Sequence, residues 1–483
     1  PFNFSDVTSM TVLKDAASAA IYGAYAGSAG VILVTTKQAA PGKTSIDYSV
    51  VTGYAAATNL PQSLTIEEER LVRAQALGGE ANLPSGWDVT KNPYIGETRT
   101  NWIDAIFRTA PFQRHNVALS GGTEDFSNRA SLEYSDRQGT LINTYNKSVT
   151  ARLNSMYKLN KYVRIREDFS WLDTQTRGAN TSSAESGVIL SALMMPRNAE
   201  VYNSDGSYGG TAPSDQAYID KYGSNFADIH GDAINPVRSL KAAFNNNHNS
   251  TLTTSTFLDI MEPIKGLNFT SRFTYKLENY FQKYYSVRRL EPGKPSDRNS
   301  LEYTSSRSTD WNFENTLTYD RIFNRHNLGL MASTTATEYG YRKFKVVGRD
   351  FENEDQSLMY FSQAGTFDPA SYQYLKDRNV SFVGRASYSW ADRYFVTGSW
   401  RRDYAGRLPQ GQKYGDFPSA TVAWKVTSEP FMPKSDVLNT LKLRASWGRI
   451  GNLGSISRGY GYPTLTSYIL GGGDVGSQVG INN

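Results

Sequence analysis

From Thr44 onward this chain repeatedly places apolar side chains at every second position over stretches of about ten residues, which is the period of a β-strand. Between Ser381 and Trp390, for example, Phe382, Gly384, Ala386, Tyr388 and Trp390 share one face, while Ser381, Val383, Arg385, Ser387 and Ser389 share the other. Beyond a tight turn at Ala391-Asp392, Tyr394, Val396, Gly398 and Trp400 oppose Arg393, Thr397, Ser399 and Arg401. Val149 to Tyr157 splits in the same way, with Arg152 and Asn154 on its polar side, and Leu443, Ala445 and Trp447 oppose Lys442, Arg444 and Ser446. About ten residues also suffice for a tilted strand to cross a bilayer.

About thirteen such strands are expected, near 44–54, 113–121, 127–136, 147–158, 162–172, 249–261, 266–278, 308–320, 325–337, 380–390, 393–402, 417–427 and 441–449. Links after even-numbered strands are mostly tight, as at Leu159-Asn160-Lys161, Glu262 to Lys265 and Ala391-Asp392. Links after odd-numbered strands are usually long, as at 55–112, 173–248, 279–307 and 338–379. Short turns on one side and long loops on the other is the construction of an outer-membrane barrel, and a soluble sandwich has no reason to keep it. Arg152, Arg385, Lys442 and Arg444 are then expected to line a wet lumen, because a basic residue facing lipid at mid-depth costs roughly 2–4 kcal/mol. Glu167 breaks the pattern by sharing a face with Val163, Ile165, Phe169 and Trp171. Either a bulge shifts the register there, or the strand lifts the carboxylate to water.

Composition agrees with strands that are greasy on one side only. The hydrophobic fraction is 39%, below the roughly 45–50% of soluble domains, yet aromatics reach 13%. No run approaches the ~18 apolar residues of a membrane helix, and so rich an aromatic content argues against disorder. The net charge of +5 is spread along the chain, whereas a nucleic-acid binder concentrates its basic residues. Without cysteine there is neither a disulfide nor a thiolate zinc site.

Catalytic constellations are absent from the pattern. His115, His230, His248 and His326 are far apart and form no HExxH arrangement. Asn203-Ser204-Asp205-Gly206-Ser207 resembles a calcium loop but lacks the closing bidentate glutamate. A solvated turn is therefore expected, and a loop Ca2+ has no support; neither a metal nor another cofactor is expected, and neither is enzyme activity. In the first long loop, Glu67 to Leu77 reads as a short helix capped by Thr65, with Glu68 three residues on. Aromatic loop residues, among them Trp87, Tyr94, Tyr202 and Tyr208, are candidates to stack on the apolar face of a sugar ring.

The first 45 residues differ. Val7 to Leu13 reads as a strand, Asp15 can cap a short helix through Ala16 to Tyr22 that stops at Gly23, and Val31 to Thr36 is a second strand. Thirteen strands cannot close an even-numbered barrel, and open edges are not tolerated in lipid. The chain, which opens on Pro1 without a signal peptide, is thus expected to be part of a longer protein and incomplete at both ends.

Val12-Leu13-Lys14-Asp15-Ala16, Ala19-Ala20-Ile21-Tyr22-Gly23 and Gly30-Val31-Ile32-Leu33-Val34-Thr35-Thr36-Lys37 together resemble the end of the plug in the SusC/RagA family of TonB-linked outer-membrane transporters. The resemblance continues in order through Asn101-Trp102, Leu119 to Gly122, Asn235-Pro236, Glu314 to Tyr319, Gly384-Arg385, Arg402-Asp403, Phe417 to Ser419, Leu441 to Arg444 and Ser446 to Gly448, ending at Gly451-Asn452. The segment Ala24 to Gly30 departs from it, being one residue longer than the usual turn and lacking its arginine. The resemblance implies residues 1–42 as the C-terminal part of an α/β plug and 43–483 as the first and middle part of an antiparallel transmembrane β-barrel of about 22 strands. It further implies TonB-dependent import of a nutrient across the outer membrane, of an oligosaccharide before a peptide, driven by the TonB-ExbB-ExbD complex. A SusD-like surface lipoprotein would be the partner. The alternatives are a siderophore or cobalamin receptor, which more often has Gly-Pro where Lys14-Asp15-Ala16 stands, and a structural or adhesive barrel, which needs no plug.

Overall fold

The computed structural model describes the chain apart from residues 1–6, 15–19, 26–29, 39–41, 85–86, 91–94, 96–97, 182–186, 213–219, 221–232, 356–357, 409–410, 412, 433–437, 454–467, 470–477 and 480–483. Its body is one antiparallel meander in which each long strand pairs with its neighbours in the chain. The path runs β3 (Gly42–Ala55), β4 (Ala110–Gly122), β5 (Phe126–Gln138), β6 (Tyr145–Lys158), β7 (Val163–Arg177), β8 (Phe244–Met261), β9 (Leu267–Ser286), β10 (Ser300–Phe323) and β11 (His326–Arg349). It continues through β13 (Ser371–Trp390), β14 (Tyr394–Ala405), β15 (Tyr414–Lys425) and β16 (Lys442–Gly448), while the two-residue β12 (Thr366–Phe367) pairs β11 off this path. Every one of the thirteen strands expected from alternation is present.

Registers are unbroken over long distances. All 24 residues of β10 pair with β11, from Ser300 opposite Arg349 to Phe323 opposite His326. Tight turns are built from positive-φ residues, with Ala391 at 52° and Asp392 at 55°, the geometry that matches the twist of the flanking strands. The link from Val426 to Leu441 between β15 and β16 is the one turn on this side that is long.

The burial pattern of the wall is inverted relative to a soluble protein. Antiparallel partners directly opposite share a face, so one side can be followed from strand to strand. On one face Asn116, Arg129, Glu133, Thr150, Asn154, Thr251, Asp259, Asp377, Ser381, Arg401 and Asp403 are buried. On the other Leu119, Leu132, Leu153, Leu258, Phe273, Leu317, Leu330, Phe382, Val396 and Val422 are exposed. Burying the polar face and exposing the apolar one is stable only where the outer surroundings are themselves apolar.

Glu167 lies on that apolar outer face. Pairing of β7 with both β6 and β8 runs through it without a shift, so no bulge is present. Its carboxylate instead accepts hydrogen bonds from the Thr254 and Thr256 hydroxyls of β8, which meets its lone pairs locally.

The N-terminal unit is a separate pair, β1 (Val7–Leu13) antiparallel to β2 (Val31–Thr36). Between them a 3₁₀ helix spans Ala20–Tyr25. Asp15 to Ala19, half of the expected helix and its cap, lie outside the described residues. Gly23, the expected helix stop, is non-helical at φ 56°, ψ −132° and breaks the segment there, with a short further turn beyond it.

Above the wall the long loops build their own core. Helix α1 (Ile66–Ala76) carries the anticipated capping box, Thr65 accepting from the Glu68 amide and Glu68 from the Thr65 amide. Helices α2 (Trp102–Ile106), α3 (Val188–Met194) and α4 (Pro236–Lys241) come from two different loops. They share one cluster containing Trp102, Ile106, Val188, Ala192, Val237 and Leu240. Loops 56–109 and 178–243 are thus one cap.

Candidate transport site on the inner wall

The face carrying the buried polar residues is also the face that the N-terminal unit touches. Arg401 on β14 donates from Nη1 to the Ile21 carbonyl at 2.7 Å, from Nε to Asp403 Oδ1 at 2.6 Å and from Nη2 to Ser381 Oγ at 3.0 Å. Arg401 is 9% exposed and Asp403 3%. All three nitrogens of the rigid guanidinium fork are thereby engaged, and the pair sits where water cannot replace either member.

Gly23 completes the contact. A Cβ at this position would overlap Asp403 Oδ2 and Arg401 Nε, and its positive φ disfavours any side chain in addition. Tyr22 lies within electrostatic reach of Arg272 of β9 and Glu314 of β10, themselves paired at 2.9 Å. Burial first, and then the Glu314 carboxylate, push the Tyr22 hydroxyl above its usual value, with Arg272 acting in the opposite sense. The Ile21-Tyr22-Gly23 turn therefore docks on β14 and faces β9 and β10.

The rest of this face is a lattice of charge. Asp259 receives Arg164 at 3.0 Å, Arg166 at 2.7 Å and the Thr270 hydroxyl at 2.9 Å. Arg407 pairs with Asp377, and the Arg114 guanidinium lies 3.9 Å from Glu133. Such a wall can pass a polar solute with hydroxyls or amides, because each group it meets can donate or accept.

All four basic residues expected on the lumen side fall on this face by register. Arg385 stands opposite Ser399, two residues from Arg401. Arg152 stands opposite Ser131, and Arg444 opposite Ala423. Lys442 lies over the Phe395 ring, 3.9 Å from its centroid. They are not brought together: Arg152 on β6 is many strands from Lys442 and Arg444 on β16.

The loop aromatics divide. Trp87 is 3% exposed, packed with Ile66, Ile95 and Ala212 under the Arg73 guanidinium. A ring so covered has no free face, which corrects its place among the stacking candidates. Tyr94 lies outside the described residues. Tyr202 and Tyr208 form a bridge with rings 5.1 Å apart. Tyr202 is 38% exposed, with Lys241 Nζ donating to its hydroxyl at 3.0 Å. Burial above all, with Tyr202 beside it, raises the Tyr208 hydroxyl.

Asp205 is taken by its own turn, accepting from the amide and hydroxyl of Ser207. That is an Asx turn, and among the described residues no metal-holding group of His, Asp and Glu occurs. His115, His248 and His326 pair separately with Tyr48, Asp173 and Tyr388, and His230 lies outside the described residues. The Arg401–Asp403 pair escaped notice in the sequence. Its only signal was two charges at alternate positions of a strand facing a wet side.

Several known proteins are similar over nearly the whole chain. The TonB-dependent receptor P3 of Formosa agariphila is 28% identical over 462 residues, 92% of this chain and 42% of that protein. The TonB-dependent receptor SusC of Bacteroides thetaiotaomicron is 25% identical over 473 residues, 93% of this chain and 43% of that protein.

Over nearly its whole length the chain is similar to TonB-dependent receptors.

Its fold is that of a solved RagAB peptide transporter, with a TM-score of 0.79 at 21% identity over 100% of this chain and 55% of the other. No family model matches the chain. The chain spans about two fifths of the length of the curated relatives it matches. Those relatives are named as receptors and none as an enzyme.

Proposed function

We propose that the chain is part of an outer-membrane importer in which the N-terminal unit, residues 1–42, is the end of a plug and residues 43–483 are barrel wall. The observation that carries this reading is the Ile21–Gly23 turn, held on the polar inner wall by the buried Arg401–Asp403 pair. A small unit whose described turn is held by a hydrogen bond from the Arg401 guanidinium to the Ile21 carbonyl is an obstruction that can be moved without unfolding the strands around it. Energy for that movement would come from the TonB-ExbB-ExbD complex, a reading that the relatives' names support as far as TonB.

The solute in this reading is an oligosaccharide, delivered by a SusD-like surface lipoprotein to the cap formed by loops 56–109 and 178–243. The likeness to SusC and the exposed Tyr202 beside Lys241 support it. The guanidiniums of Arg152, Arg385 and Arg444 and the ammonium of Lys442 would donate to sugar hydroxyls in the lumen. A peptide is the second reading, favoured by the fold match to a peptide transporter.

Uptake by cells that express the whole protein separates the two. Cells are offered a mixture of oligosaccharides or a mixture of peptides, with and without TonB and with and without the neighbouring lipoprotein gene. TonB-dependent depletion of oligosaccharides is expected. Depletion of peptides alone would move the assignment to the second reading, and uptake of either class without TonB would end the importer proposal.

A further inference from the structure

The outer face of β10, β11 and β13 changes character along its length. Leu317, Phe313, Leu330, Val380 and Phe382 are exposed and apolar. Beyond them, toward the long-loop end, the same face carries Arg307, Arg342, Lys376 and Arg378, all exposed. Cross-strand register puts Arg307 directly opposite Arg342, Lys376 opposite Gly340, and Arg378 opposite Glu338.

Glu338 is the one carboxylate in this set, and it is committed to Lys376 at 2.9 Å and to Arg378 at 2.6 Å. Neither Arg307 nor Arg342 has an ion-pair partner among the described residues. Arg342 instead lies over the Tyr374 ring, 5.6 Å from its centroid. Like charges directly opposite on neighbouring strands repel, so the bare pair is a cost that a bound anion removes. Gly340, next to Arg342 on the same face and opposite Thr309, supplies no side chain, and a Cβ there would stand 2.9 Å from Thr309 Oγ1. The result is a groove of about 310 Å³ lined by Arg307, Thr309, Glu338, Arg342, Tyr374 and Lys376.

The position selects the anion. The groove lies on the apolar side of the wall rather than the polar one, at the upper border of the apolar band. Exposed Phe344 and Tyr372 stand farther along the same face, as aromatics do at a membrane–water boundary. A free solute has no reason to be met there, whereas an amphiphile presents its charged head at that height with its chains along the band below. Planar guanidiniums favour phosphate oxygens, which they can bind through paired N–H groups.

We propose that the groove between Arg307 and Arg342 binds the phosphate of a lipid headgroup in the outer leaflet, with Lys376 as the third cation. This rests on the reading that the wall spans the outer membrane with its long loops outside.

The test uses the whole protein purified in neutral detergent, with dioctanoyl phosphatidic acid, dioctanoylglycerol and inorganic phosphate as probes in a direct binding assay. Saturable binding of phosphatidic acid is expected, at least tenfold tighter than inorganic phosphate and absent for dioctanoylglycerol. The double variant R307S/R342S should lose at least tenfold, and R307K/R342K should recover most of it. Equal binding by R307S/R342S, or equal binding of dioctanoylglycerol, would overturn the proposal, because the apolar wall alone would then suffice. Inorganic phosphate binding as tightly as the lipid would make it a site for a free anion. A dimer dissolved by R307S/R342S would assign the cations to a protein contact instead. Heat-modifiable migration and the need for detergent are followed in each variant. If these persist while lipid binding fails, only this proposal falls; if the protein is soluble without detergent, the barrel reading falls with it.

Discussion

Replacing Arg401 by methionine should release the N-terminal turn without dissolving the wall. The guanidinium makes three hydrogen bonds, to Ile21, Asp403 and Ser381, and only the first joins the turn to β14. A hydrogen bond from a charged group contributes about 1.5–3 kcal/mol, so docking of the turn should weaken by roughly 10- to 150-fold at about 1.4 kcal/mol per decade. The wall pays separately, since Asp403 at 3% exposure loses the Arg401 guanidinium, and breaking a buried pair costs about 3–5 kcal/mol. In the double variant R401M/D403L that second penalty should largely vanish while the loss at the turn remains. Hydrogen exchange followed by mass spectrometry on the whole protein separates the two effects. Segment 20–25 should lose about one to two decades of protection in both variants, and β13–β15 should lose protection only in R401M. If 20–25 keeps its protection in both, the turn is held by something other than Arg401.

Three further outcomes are expected. Gly23→Ala should loosen segment 20–25 as much as R401M does, because the added Cβ overlaps both members of the pair; unchanged exchange there would mean the kink is not needed for docking. Trp102→Ala should cost the loop cap about 3–5 kcal/mol, seen as proteolysis in loops 56–109 and 178–243 with β5–β11 intact, whereas cleavage spreading into those strands would show that cap and wall unfold together. The Arg298–Asp350 clasp joins the loop after β9 to the loop after β11 through two hydrogen bonds of 2.9 and 2.7 Å. Bonding to Arg298 and Thr366 holds the Asp350 carboxyl down at about 2. A depressed carboxylate stabilises the fold above its unfolded value near ~3.9 and ceases to do so as the pH falls through its folded value. Exchange in 287–299 and 350–370 should thus quicken between about pH 4 and pH 2, and quickening already at pH 6 would assign it to other groups.

The strands were legible because alternation is a local property: each ten-residue window declares its own two faces, and the register of β10 on β11 follows from keeping those faces aligned. Their ends were less so. β10 and β11 run to 24 residues, and the added segments, such as Ser300 to Arg307, mix Ser, Thr and charge on both faces once they leave the apolar band. Alternation places Glu167 on the apolar face but left a bulge or contact with water as its explanation; the Thr254 and Thr256 hydroxyls that in fact meet it lie nearly ninety residues away, beyond any local pattern. The Arg401 contact with Ile21 spans 380 residues, and only the fold brings them together. Trp87 was misjudged because a loop tryptophan carries no signal of whether its loop builds a core.

A wall that is apolar outside and wet inside shows both faces within six residues of β11. Spin labels placed one at a time at positions 330 to 335 of the whole protein in bilayers report the local exposure to oxygen and to a water-soluble nickel complex. Labels at Leu330, Ala332 and Thr334 should favour oxygen, and those at Met331, Ser333 and Thr335 the nickel complex, alternating residue by residue. Equal accessibility at all six positions, or the opposite phase, would contradict the account.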